Sequence, residues 1–133
     1  MAYLIDTCVF IDYLTERLPE TSAKWLEEMV ISGMACTSVI VYHELLTGAS
    51  TDKARKIIED LIASLEVIPV DQNVAAEAAS TRRNWRKEGK TLSMADTLIG
   101  ATAKLQGCAV LTCNIKDFPA VLTIDPYSVP SGE

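Results

Sequence analysis

Histidine and closely spaced cysteines, which supply most zinc ligands in proteins, are nearly absent from this sequence. The only histidine is His43, and the cysteines Cys8, Cys36, Cys108 and Cys113 form no CxxC pair. This pattern argues against a zinc site. It also leaves no serine or cysteine with an obvious histidine base beside it. Each cysteine lies in or beside an apolar segment, which predicts small buried thiols in a reducing compartment.

Long hydrophobic runs are lacking as well. No apolar run approaches the roughly 20 residues that a membrane helix needs, and no basic stretch precedes an apolar one near the start. We therefore expect a cytoplasmic protein that does not span a membrane. The 133 residues are 49% apolar and 23% charged, which predicts one globular domain over residues 1–133 rather than a disordered chain.

The sequence has no excess of basic residues, since its formal net charge is −6. Attraction to phosphates supplies much of the affinity of nucleic-acid binding proteins. On its own, the charge balance therefore argues against a nucleic-acid partner. Such a partner would need a local site that overcomes the overall charge.

Short apolar strands alternate with helical patterns along the chain. Strands are predicted at AYLI (2–5), MACTS (34–38), VIPV (67–70), CAVLTC (108–113) and LTID (122–125). Residues 38–48 include three β-branched residues in a row, but Ser38 as N-cap and Gly48 just past the end favour a helix. The alternation predicts an α/β fold whose parallel sheet is covered on both faces. In such folds, functional groups gather beyond the carboxyl ends of the strands.

Two acids come soon after predicted strands. Asp6 ends the first strand, and Asp117 comes shortly after the strand CAVLTC. Each also has a purely structural interpretation. Asp6 is a good N-cap for the helix that follows, and Asp117 is typical of a turn that an aspartate side chain stabilises. Both interpretations stay open when each residue is taken singly.

Two further acids lie on predicted helices in apolar surroundings. Asp96 is in the first turn of a helix over residues 94–106 that is apolar almost all round and is therefore predicted to be buried. Ser93 and Asp96 also resemble a capping box, although aspartate closes such a box less well than glutamate. Glu44 lies between SVIVYH and LL, although a lone glutamate on a helix usually faces solvent.

Four carboxylates brought together at one edge of a sheet would repel each other and hold protons unless divalent cations lay among them. Ligands that are all oxygen, without histidine or cysteine, favour the hard ions Mg²⁺ or Mn²⁺. Water activated by such ions attacks a phosphodiester without any protein nucleophile. The four acids therefore predict a metal site for phosphodiester hydrolysis: Asp6, Glu44, Asp96 and Asp117.

At these residues the sequence resembles the PIN-domain ribonucleases, and specifically the VapC toxins of toxin–antitoxin pairs, over nearly its whole length. The matching segments each contain one acid: YLIDTCVFIDYL, TSVIVYHELLTG, RKEGKTLSMADTLIGATAKLQG and LTCNIKDF. The resemblance implies a three-layer α/β/α sandwich with a short, mostly parallel central sheet. It also implies Mg²⁺- or Mn²⁺-dependent endoribonuclease activity with one or two ions, a cognate antitoxin partner and a homodimer. Cys113 departs from the family pattern, in which a basic residue is frequent at this position.

Side chains that would hold the acids in place, and a basic helix face, complete the predicted site. Ser38, Thr112 and Asn114 would orient carboxylates or metal-bound water, or would serve only as caps and turn residues. Five basic residues fall within a helical sector of roughly 140° and would contact RNA, or would form only a solvated face. They are Arg82, Arg83, Arg86, Lys87 and Lys90. Without the four proposed metal carboxylates, the net charge of −6 falls to −2, which weakens the objection to RNA.

The sequence leaves three alternative classes of protein open. Haloacid-dehalogenase phosphatases also begin with a strand that ends in aspartate, but they need a second aspartate two residues later, where this chain has Cys8. Receiver domains carry a pair of acids near their start, whereas the segment IDT at residues 5–7 of this chain contains a single acid. A PIN-like fold that only binds a partner would not need all four acids.

Overall fold

The central sheet has five strands, all paired in parallel. The structure is a computed structural model that describes residues 2–129. The strands are β1 (Tyr3–Ile5), β2 (Ala35–Ser38), β3 (Glu66–Ile68), β4 (Ala109–Leu111) and β5 (Thr123–Ile124). Their spatial order is β3-β2-β1-β4-β5. Tyr3 pairs with Ala35 on one side and with Ala109 on the other, so β1 is the middle strand.

Helices connect the strands, as the alternating pattern predicts. The α-helices are α1 (Thr7–Leu14), α2 (Glu20–Ile31), α3 (Val39–Gly48), α4 (Asp52–Ile62), α5 (Gln72–Lys87) and α6 (Met94–Gln106). Short 3₁₀ turns follow at Ile115–Asp117 and Pro126–Ser128. The predicted α/β/α sandwich is confirmed, with every strand pair parallel and each strand shorter than its apolar run. Within residues 2–129, no helix is both long enough and apolar enough to cross a membrane.

The ambiguous segment after β2 is helical because Ser38 caps it. The Ser38 hydroxyl accepts a hydrogen bond from the amide of Ile40 at 3.0 Å and so satisfies a donor that the first helical turn leaves unpaired. β-branched residues are tolerated here because Val41 is fully buried. Gly48 is the last residue of α3, and the chain leaves the helix at Ala49 in an extended conformation.

The core surrounds β1 and the neighbouring strand β4. Leu4, Ile5 and Val110 are completely buried, and Ile99 of α6 is completely buried with them. Burying a side chain of this kind stabilises the fold by about 1.5–3 kcal/mol. The expectation that α6 is buried all round is only partly met. Met94 is 62% exposed and Leu105 is 48% exposed, because they lie near the two ends of the helix.

Candidate active site at the carboxyl edge of the sheet

Asp6 lies directly beyond β1 and is held on both carboxylate oxygens. Its amide donates to the carbonyl of Leu111, which ties the position to β4. Oδ1 accepts the amide of Thr7 at 2.8 Å, so Asp6 does cap α1. Oδ2 accepts the Thr112 hydroxyl at 2.8 Å. The cap and the site are therefore compatible, because one oxygen serves the helix and the other faces the end of β4.

The environment of Asp6 disfavours its charged form. Only 6% of the residue is exposed. Burial raises the pKa of the carboxyl, the hydrogen bonds from Thr112 and Thr7 oppose this rise, and the charge of Glu44 adds to it. An acid held in this way binds a proton or a cation more readily than an ordinary surface aspartate does.

Glu44 approaches from α3 and lies at the exposed side of the site. Its neighbours Val41 and Leu45 are buried, whereas the Glu44 side chain is exposed, so the apolar residues around it in the sequence face away from it. The Thr7 hydroxyl donates to Glu44 Oε1 at 2.6 Å. This bond joins the start of α1 to the middle of α3.

Asp96 is half-buried in the first turn of α6. Its amide donates to the Ser93 hydroxyl at 3.0 Å, so Ser93 caps the helix through the Asp96 backbone. Burial is the largest cause that raises the pKa of the Asp96 carboxyl, and hydrogen bonding with Ser93 opposes it. The charges of Asp6, Asp117 and Glu44 all raise this pKa further. One carboxylate thus lies within electrostatic range of the other three.

Asp117 ends the 3₁₀ turn that follows β4. Its amide donates to the carbonyl of Asn114 at 2.9 Å, which closes the turn. The next residue, Phe118, is only 4% exposed and anchors the turn in the core. Asp117 and Asp96 line the same cleft. The residue is therefore a turn acid, as its structural interpretation predicts, and it also faces the acidic edge.

The three residues predicted to orient the acids, Ser38, Thr112 and Asn114, differ in their contacts. Thr112 is fully buried, donates to Asp6 and accepts the Asn114 amide at 3.0 Å. Ser38 is also fully buried, but its hydroxyl accepts from the start of α3. Asn114 contributes its backbone amide, and its side chain is exposed. Of the three hydroxyl and amide side chains, Thr112 is the one that contacts an acid of the site.

Sequence reasoning missed two residues that contact the acids. Thr7 donates to Glu44, and the Cys8 thiol donates to Asp6 Oδ2 at 3.7 Å. Both are in the first turn of α1, so their position directly after Asp6 is the signal that would have found them. The amide of Cys113 donates to Cys8 Sγ at 3.2 Å, and the Cys113 thiol donates to Asp12. Cys113 thus faces α1.

The five basic residues fall into two groups. Arg83, Arg86 and Lys87 are exposed. Arg82 and Lys90 are half-buried and donate to backbone carbonyls. The prediction that Lys90 lies on the same helical face is wrong. The helix α5 ends at Lys87, and Gly89, with a φ of 83°, turns the chain away from the helix axis before Lys90.

The donor set fits a hard divalent cation. The four side chains supply only carboxylate oxygens, which suit Mg²⁺ or Mn²⁺. In residues 2–129, no three acidic, histidine or cysteine side chains are close enough to hold an ion as they stand. The arrangement is an open acidic edge, which leaves room for the water that Mg²⁺ retains. A cation there would offset the mutual repulsion that acts on Asp96.

Comparisons with known proteins agree with this architecture. The family model described as "PIN domain" matches residues 3–121. Ribonuclease VapC10 of Mycobacterium tuberculosis is 30% identical, and the match covers 96% of this chain and 94% of the relative. Ribonuclease VapC2 of Haemophilus influenzae is 24% identical over 93% of this chain and 95% of its own length.

Solved structures show the same fold. FitAcB from Neisseria gonorrhoeae superposes with a TM-score of 0.79 and 26% identity, covering 96% of this chain and 99% of that chain. VapBC-1 from nontypeable Haemophilus influenzae gives a TM-score of 0.82 at 22% identity, covering 96% and 100%. The fold and its acidic edge define a parallel α/β protein with a carboxylate site. The chain belongs to the PIN domain family, and the resemblance to the VapC toxins is confirmed.

Proposed function

We propose that this protein is a Mg²⁺- or Mn²⁺-dependent endoribonuclease and the toxin of a VapBC-type toxin–antitoxin pair. The observation that carries the proposal is the gathering of the acids at the carboxyl edge of the sheet, where Thr7 bonds to both Asp6 and Glu44, and Asp96 and Asp117 line one cleft. The relatives named as VapC ribonucleases support the choice of RNA as substrate. We also propose a cytoplasmic location, which suits an enzyme that cleaves cellular RNA.

In this proposal, the metal ligands are Asp6, Glu44, Asp96 and Asp117, and they hold one or two ions. When bound, the cation would activate water and neutralise charge on the phosphate. Two acids are fixed by hydrogen bonds before any ion binds, since Thr112 and the Thr7 amide hold Asp6 and the Thr7 hydroxyl holds Glu44. Such fixed partners reduce the reorganisation that binding requires.

RNA would approach along the exposed basic side chains of α5. Arg83, Arg86 and Lys87 are solvent-exposed, and α5 packs against α6, the helix that carries Asp96. Exposed cations attract phosphates whatever the base sequence. They would offset the net charge of −6 locally and guide the strand toward the acidic edge.

An apolar groove supports the antitoxin partner. It lies between α1, α2 and α4, and Ile31 at its rim is 85% exposed. Its apolar lining is Phe10, Tyr13, Leu26, Val30, Ile31 and Leu61. A groove of this kind accepts the apolar face of an amphipathic helix. The solved relatives include a FitAcB structure and a toxin–antitoxin complex from Klebsiella pneumoniae.

We also propose that the toxin forms a homodimer.

The test is cleavage of a panel of structured RNAs by protein purified free of antitoxin, in Mg²⁺ or Mn²⁺ and again in EDTA. Asp96→Asn removes one proposed ligand, and Glu59→Gln, on the exposed side of α4, is the matched control. We expect metal-dependent cleavage that Asp96→Asn abolishes and Glu59→Gln retains. Cleavage that survives both EDTA and Asp96→Asn would contradict the proposal. If the protein cleaves no RNA of a broad panel in either metal, a role in partner binding alone would be favoured.

A further inference from the structure

The segment between α5 and α6 is braced by two basic side chains that end on backbone carbonyls. Arg82 Nε donates to the carbonyl of Leu92 at 2.9 Å. Lys90 Nζ donates to the carbonyl of Lys116 at 2.5 Å. The Lys90 amide also donates to the carbonyl of Trp85 at 2.9 Å, so the loop is attached to the end of α5 as well.

These contacts separate Arg82 and Lys90 from the rest of the basic face. Both residues are half-buried, whereas Arg83, Arg86 and Lys87 are exposed. A hydrogen bond from an ionised donor is stronger than one between neutral groups, and its partner loses more when the donor is removed. A cation already bonded to a carbonyl is also less available to an RNA phosphate.

The Lys90 brace ends next to an acid of the proposed metal site, and the Arg82 brace ends on the segment just before the helix that carries another. Lys116 belongs to the 3₁₀ turn Ile115–Asp117 and directly precedes Asp117. Leu92 directly precedes Ser93, whose hydroxyl caps the helix that begins with Asp96 in its first turn. The loop therefore connects the backbones that carry two of the four acids.

We propose that Lys90 is a positioning residue for the metal site, which acts through the turn that carries Asp117. The inference rests on the proposed function. It assigns the basic face two separate tasks. Lys90 holds the turn that carries Asp117, and the exposed residues of α5 contact RNA. Groups that hydrogen-bond a metal ligand directly change metal affinity by about 10- to 100-fold when they are removed, and Lys90 acts one residue further away, so we expect an effect at the lower end of this range.

The experiment measures Mn²⁺ affinity without RNA, by calorimetry or by the electron paramagnetic resonance of free Mn²⁺. Lys90→Met removes both charge and donor, Lys90→Gln keeps a donor, and Lys90→Arg keeps both. Lys87→Met is the matched control, since it removes one exposed charge three residues away. RNA binding is measured for the same proteins in EDTA, and thermal melting verifies that each variant is folded.

We expect Lys90→Met to weaken Mn²⁺ binding by about 10-fold, with Lys90→Gln intermediate and Lys90→Arg close to wild type. RNA binding by Lys90→Met should change much less than that of Lys87→Met, which should bind Mn²⁺ normally. If Lys90→Met and Lys90→Gln bind Mn²⁺ as tightly as wild type does, the positioning role is wrong. Weaker RNA binding with unchanged Mn²⁺ affinity would return Lys90 to the RNA-contacting group. If wild type binds no Mn²⁺ at all, the proposed function itself is overturned.

Discussion

The hydroxyl of Thr7 lies 2.6 Å from Oε1 of Glu44, and this hydrogen bond joins two helices whose residues are 37 positions apart in the sequence. Glu44 is exposed, so without this bond its side chain would sample several rotamers. The contact therefore restricts an acid that the rest of the fold leaves at the surface. Thr7 also donates its amide to Asp6, which places one residue between two proposed ligands.

We predict that Thr7→Val, which keeps the shape of the side chain and removes the hydroxyl, lowers kcat/KM for RNA cleavage by roughly 10- to 100-fold, the range found for residues that hold metal ligands. The hydrogen bond from the backbone amide of residue 7 to the Asp6 carboxylate remains, so the melting temperature should change little. Thr7→Ser keeps the hydroxyl and should retain most activity. Equal activity of Thr7→Val and wild type over a range of Mn²⁺ concentrations would show that the bond does not position Glu44 for catalysis.

We predict that Asp96→Asn stabilises the metal-free protein while it abolishes cleavage. The pKa of Asp96 is raised in the folded state, so the folded protein holds this proton more tightly than the unfolded chain does. Wild type therefore loses stability as the pH rises from near the ordinary aspartate value through the raised folded-state pKa. The asparagine variant does not have this loss.

The measurement is the melting temperature of both proteins in EDTA between about pH 3.5 and 7.5, a window that begins near the ordinary aspartate pKa and extends above the raised one. The difference in favour of Asp96→Asn should be small at the acidic end and should grow toward neutral pH. A variant that is less stable than wild type at neutral pH would mean that the carboxylate supports the helix start more than it repels its neighbours.

Much of the fold and site could be predicted because their signals are local in the sequence. Ser38 caps α3, and Asp6 follows β1 and caps α1, as their sequence contexts indicate. The contacts of Arg82 and Lys90 could not be found in this way. Helical periodicity places charges on a face, but it contains no information on which distant carbonyl a long side chain reaches. The partner of Lys90 is 26 residues further along the chain.

The apolar neighbourhood of Glu44 illustrates the same limit. Val41 and Leu45 are buried on α3, and Glu44 points to solvent from the same turn. Sequence neighbours on a helix lie about 100° apart, so an apolar stretch does not mean apolar surroundings for each of its residues. The sequence identifies Glu44 through the segment TSVIVYHELLTG, but its hydrogen bond to Thr7 forms only in the folded chain.

We predict that Lys87→Ala weakens RNA binding and reduces its dependence on salt, with Mn²⁺ affinity unchanged. Each phosphate contact releases counterions, so the loss of one contact lowers the salt slope by about 0.7–0.9. Lys53→Ala removes a charge from an exposed position on α4 and is the control for net charge alone. Binding is measured with catalytically inactive protein from 50 to 300 mM salt, a range of the order over which such contacts weaken. An equal effect of both substitutions would assign the loss to overall charge instead of to the basic face of α5.

Gly100 in the interior of α6 offers a test of the packing between α6 and the turn that carries Asp117. A Cβ at this position would meet Phe118 Cδ1 at 3.5 Å, which is an ordinary van der Waals contact. Alanine restricts the unfolded chain more than glycine does, so we expect Gly100→Ala to stabilise the fold by about 0.5–1 kcal/mol. Gly107→Ala should destabilise it, because Gly107 ends α6 with a φ of 70° that alanine adopts poorly. Urea unfolding of the three proteins measures both changes. A destabilised Gly100→Ala would show that α6 and Phe118 are packed too closely for even one methyl group, and cleavage should then fall with it, because Phe118 anchors the turn that holds Asp117.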